Sequence, residues 1–69
     1  MQPKRGKIID AMAERDVYGA QGLAKESGVS LTTARKVLAG ESVSVKVATS
    51  VSKALGLAPT DLFDLEGDR

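Results

Sequence analysis

The sequence predicts an all-α fold: one compact domain of five short helices, with helices 2 and 3 forming a helix-turn-helix. Three observations carry this. Apolar residues recur at helical spacing in successive stretches, and no stretch alternates like a strand. Glycines stand where those stretches stop, at Gly28, Gly40 and Gly56. Serines stand where two of them begin, at Ser30 and Ser44. The 69 residues suffice for a single domain over 1–69, with an ordered core over about 4–65 and an acidic C-terminal tail.

The first helix is expected to be capped by Gln2, with Pro3 at its first position, where a missing N–H costs nothing. Ile8, Ile9, Met12 and Ala13 supply its apolar stripe. Lys4, Arg5 and Lys7 crowd its start, where the helix dipole disfavours cations. That mismatch suggests either a use for the charge, such as a phosphate, or a frayed terminus. Asp16 to Gly19 forms a short connection with Val17 buried. Gly19 is expected to cap the second helix, and Tyr18 and Leu23 fit the two places of a hydrophobic staple.

In the second helix Leu23, Ala24 and Ser27 share one face. Gly28 makes the turn, and Val29 plugs the space between the helices. Ser30 caps the third helix, where Ala34, Val37 and Leu38 face inward. Leu31, Thr32, Arg35, Lys36 and Ala39 then fall outward. This face carries two cations, short hydrogen-bonding or methyl-bearing groups, and no acid. Nucleic-acid reading needs that mixture: charge for phosphates and short groups for base edges. Gly40 ends the helix, Glu41 to Val43 form a loop, and Ser44 caps the fourth helix. Val47, Ala48, Val51, Ala54 and Leu55 give the cleanest amphipathic pattern in the chain. Gly56 stops it. Leu57 bridges to a short fifth helix begun by Pro59, with Leu62, Phe63 and Leu65 closing the core.

The run Leu23 to Gly40 resembles the helix-turn-helix of lambda-repressor-like (Cro/repressor, XRE-type) regulators, through Leu23, Ala24, Gly28, Val29, Ala34 and Val37. The run VSKALGLAPTDLF resembles the fourth and fifth helices of that family, so the likeness covers about residues 4–65. The family often has Gln at the first residue of its first motif helix; here Ala20 stands there, with Gln21 beside it. Ser27 replaces a commonly apolar residue. The motif is also similar to the headpiece of lactose-repressor-type proteins, which begin at the motif itself. A full helix precedes the motif here, so a stand-alone regulator is expected.

The resemblance implies that the start of the third helix enters the major groove, with Leu31, Thr32, Arg35 and Lys36 as base contacts. It leaves Leu31 open between a thymine-methyl contact and a core position. Gln21, Lys25, Thr33, Ser44 and Lys46 are the candidates for phosphate. The partner implied is an operator in double-stranded DNA, bound by a homodimer. The dimer surface is expected in the C-terminal third, on Leu57, Leu62, Phe63 and Leu65.

Totals narrow the function. With no cysteine and no histidine, zinc or haem has almost nothing to bind, and the commonest general base is missing. No cofactor, metal or catalytic site is expected, and an enzyme is not assembled. No apolar run approaches the ~18 residues of a membrane span, and the N-terminus lacks a secretory pattern. A cytoplasmic protein of a bacterium or phage-infected host is expected. Net charge is only +1, but residues 61–69 hold −3 and residues 1–60 hold +4, which suits one-sided contact with DNA. Three functions compete: a sequence-specific transcriptional regulator such as a phage repressor or Cro-like protein, a DNA-binding antitoxin of a toxin–antitoxin pair, and a helical protein–protein interaction module without DNA binding.

Overall fold

A computed structural model describes residues 1–64. Its helices are α1 (Arg5–Glu14), α2 (Gly19–Ser27), α3 (Leu31–Ala39), α4 (Val45–Leu55) and α5 (Pro59–Leu62). Two short strands, β1 (Gln2–Pro3) and β2 (Phe63–Asp64), pair antiparallel in the register Gln2 to Asp64 and Pro3 to Phe63. The expected Leu65 and the tail residues Glu66, Asp68 and Arg69 lie outside the described residues.

The strand pair corrects two expectations. Pro3 does not open α1 but sits buried in β1. A proline φ suits an edge strand as well as a helix start, and tertiary pairing decides between them. Lys4 donates its N–H to Leu62 O at 2.7 Å and takes the cap position of α1 without a side-chain cap bond. Nor is this end frayed: Lys4 Nζ lies 3.2 Å from Thr60 O and 3.5 Å from Asp64 Oδ1.

The core comprises Ile8, Ala11, Met12, Val17, Leu23, Ala34, Val37, Ala48, Val51, Leu55, Leu62 and Phe63. Helix α2 packs on α3 and α4, while α1 closes over α3 and α5. In α1 the buried face is Ile8, Ala11 and Met12, not the Ile9–Ala13 edge of the expected stripe; Ile9 is 48% exposed. Both sets have helical spacing, and the positions of α3 and α5 select the first. Leu62 and Phe63 are 1% exposed, so they cannot form the expected dimer surface. A 69-residue chain has few large apolar side chains, and its own core takes both. Of that set, only Leu57 remains exposed among the described residues.

Tyr18, expected to staple onto the buried Leu23, is 67% exposed. It also takes the cap position of α2 that was expected of Gly19, whose φ of +70° is not helical. Ser52 breaks the apolar pattern of α4: it is fully buried, and its hydroxyl has no hydrogen-bond partner among the described residues.

Candidate nucleic-acid interface

The candidate interface is built on α3, held at both ends by local chemistry. At its start Ser30 Oγ accepts the Thr33 N–H at 3.1 Å and donates to Thr33 Oγ1 at 2.9 Å. At its end Gly40 takes the left-handed conformation, φ +83°, and its N–H returns to Val37 O. Inside, Ala34 and Val37 are fully buried. Their burial fixes the rotation of the helix, and so determines what faces out.

Thr32, Arg35, Lys36 and Ala39 are exposed; Leu31 and Thr33 are partly buried. Thr32, Arg35, Lys36 and Ala39 follow an i, i+3, i+4, i+7 spacing and share one side of α3. Three of the four expected base-contact residues therefore stand together in solvent. Leu31 sits at the edge of the group. No acidic residue interrupts α3, and no ion pair among the described residues neutralises Arg35 or Lys36 within the helix.

The expected phosphate contacts are spread over three elements. Gln21 and Lys25 are exposed on α2, four positions apart and so on one face. Glu26, also exposed, adjoins them. Thr33 accepts from Ser30 but keeps its own O–H to donate. Ser44 Oγ accepts the Val47 N–H at 3.2 Å, and Lys46 is exposed in the first turn of α4. The backbone N–H groups at the start of α4 and the Lys46 charge suit an anion. Its first turn holds no acid.

A group that sequence reasoning missed lies against the α3–α4 link. Arg5 Nε donates to Leu38 O at 2.7 Å, and Gln2 Nε2 donates to Gly40 O. Val43 donates its N–H to Met1 O at 2.9 Å. Residues 1–5 thus run beside the α3–α4 link. The cation crowding at Lys4, Arg5 and Lys7 was the available signal, and its explanation is tertiary: Arg5 serves the carbonyl end of another helix.

Among the described residues no helix is long and apolar enough to cross a membrane. A family model described as the Cro/C1-type HTH DNA-binding domain matches residues 7–68. No curated protein and no solved structure matches the chain.

Proposed function

We propose that this chain, which belongs to the Cro/C1-type helix-turn-helix DNA-binding domain family, is a sequence-specific transcriptional regulator of the phage-repressor or Cro-like kind. Family membership makes it a DNA-binding domain of a typically non-enzymatic class. The finer reading rests on one observation: the exposed side of α3 carries Thr32, Arg35 and Lys36 with no acid, on a helix capped at both ends.

In this reading α3 lies in the major groove. Arg35 or Lys36 donates to guanine O6 and N7, and Thr32 meets a base edge or a thymine methyl. Leu31, at the edge of the group, meets a thymine methyl. Gln21, Lys25, Thr33, Ser44 and Lys46 hold phosphates on either side and set the register. Two copies bind as a two-fold dimer with half-sites about one helical turn, ~10 base pairs, apart. The site of action is the cytoplasm of a bacterial or phage-infected cell.

Selection of bound sites from random duplexes tests this. Recovery of a palindromic motif supports a dimeric sequence reader; enrichment of no motif, with binding that tracks only duplex concentration, contradicts it.

A second reading is the DNA-binding antitoxin, whose further partner is a toxin protein. One observation favours it. An apolar groove of about 360 Å³ lies between α1 and the C-terminal end of α3, bordered by Ile9, Ala13, Tyr18 and Leu38. Ile9 is 48% and Tyr18 67% exposed there. Co-purification of a toxin encoded beside this chain, lost on Ile9→Glu, is the outcome that separates this reading from the first.

A further inference from the structure

We infer that Arg5 and Gln2 are positioning residues for DNA reading: they fix the α3–α4 link, so that the start of α4 keeps its place relative to the outer side of α3. The inference rests on the DNA-reading function proposed above and extends it to two residues outside both helices.

The link from Gly40 to Ser44 has no regular structure. Two bonds from the end of α3 reach into it, Gly40 N–H to Val37 O and Glu41 N–H to Lys36 O. At its far end Ser44 takes the Val47 and Ala48 N–H groups of α4, and residues 1–5 hold it from the side. Arg5 Nε reaches Leu38 O, one of the carbonyls that a helix end leaves without a helical partner. The Arg5 stem lies against Gly40, where an added Cβ would meet Arg5 Cδ at 3.0 Å. Gln2 Nε2 takes Gly40 O, and Met1 O takes the Val43 N–H.

The segment that holds the link is itself anchored. Gln2 and Pro3 pair with Phe63 and Asp64, Pro3 is buried, and Lys4 N–H bonds Leu62 O. The link is therefore tied to the core through β2 and α5. Base contacts from α3 and phosphate contacts from α4 form together only if the two helix ends hold a fixed separation. A loosened link costs that coincidence while leaving each charge in place.

Arg5 has a rival role, a direct phosphate contact, and the two roles separate experimentally. Gln2 carries no charge, so its contribution cannot be phosphate neutralisation. At position 5, citrulline keeps the Nε–H and removes the charge; a chain of 69 residues is within reach of chemical synthesis.

The experiment measures affinity for the selected duplex and for a scrambled duplex across a salt series, with Gln2→Ala, Arg5→Ala and Arg5→citrulline. Gln2→Ala and Arg5→Ala are each expected to weaken the selected site about twofold to threefold, as loss of one solvent-exposed hydrogen bond allows. Scrambled binding and the salt slope stay as in the unaltered chain, and Arg5→citrulline behaves like the unaltered chain. Equal losses on both duplexes, with a shallower slope and no rescue by citrulline, would make Arg5 a phosphate ligand and overturn the inference. So would an unchanged ratio of selected to scrambled affinity. Amide exchange of Glu41 and Val43 in the free protein supplies a second readout: faster exchange in both alanine variants is expected, and unchanged exchange sinks the inference without DNA. If the unaltered chain fails to discriminate the duplexes, the DNA-reading function fails, and the exchange data still decide whether the clamp exists.

Discussion

Replacing Gly40 with alanine perturbs the fold and the interface through one atom. Gly40 has φ +83°, in the left-handed region. An L-residue there loses about 1–2 kcal/mol, offset by about 0.4–1 kcal/mol from a stiffer unfolded chain. Gly28 provides the reference, because it has φ +75° and nothing within 4 Å of an added Cβ. Gly28→Ala should therefore cost about 1 kcal/mol from backbone strain alone. At Gly40 the new Cβ meets Arg5 Cδ at 3.0 Å, so the Arg5 stem must give by a few tenths of an ångström, at the expense of its 2.7 Å bond to Leu38 O. That bond is solvent-exposed, which places it at the low end of the usual range, about 0.5 kcal/mol. Gly40→Ala should thus cost about 1.5 kcal/mol, seen as a melting point lower by about 6–12 °C in a domain this size. Thermal and urea unfolding followed by circular dichroism measure both variants. The sharper comparison is a double-mutant cycle with Arg5→Ala, in which the extra cost at Gly40 should vanish. Equal destabilisation at Gly28 and Gly40, or an excess at Gly40 that survives in the Arg5→Ala background, would refute the reasoning.

Ser52 is fully buried with its hydroxyl unpartnered, so Ser52→Ala should stabilise the domain by about 1 kcal/mol, read as a higher urea midpoint with unchanged m; a lower midpoint would mean that the hydroxyl has a partner. DNA affinity should fall linearly in log–log form with salt, and stay nearly flat between about pH 6 and 8, because lysine and arginine carry the charge and the chain has no histidine. A sharp loss of binding within that pH range would show that a titrating group takes part.

Where structure is set by neighbours in sequence, the chain was legible. Ser30 and Ser44 accept the N–H three residues on, as their positions at helix starts imply. Gly28, Gly40 and Gly56 close α2, α3 and α4 in the left-handed conformation, and Pro59 opens α5. The outer side of α3 was readable for the same reason: with Ala34 and Val37 inside, helical geometry sends Thr32, Arg35 and Lys36 out. What escaped depends on distant partners. Pro3 fits a helix start or a strand equally well, and only Phe63, 60 positions away, decides. Ile9 and Ala11 compete for the core face of α1, and the packing of α3 and α5 settles it. Ser52 interrupts an apolar face with a side chain small enough to be enclosed, which periodicity alone does not distinguish from a solvated one. The clamp on the α3–α4 link was visible only as misplaced charge, because the partner of Arg5 is a carbonyl 33 positions along the chain.

Paired affinities for a selected site and a scrambled duplex, measured on Arg35→Ala, Lys36→Ala and Lys46→Ala, test most directly whether α3 reads bases. All three side chains are exposed, so none of these changes should unfold the domain. Loss of Arg35 or Lys36 should cost about 1–3 kcal/mol on the selected site and relax preference at one or two positions. Loss of Lys46 should weaken both duplexes alike and lower the salt slope by about one unit. If the Arg35 and Lys36 variants lose selected and scrambled affinity equally, α3 does not read bases, and the assignment of its outer side is wrong although the fold stands.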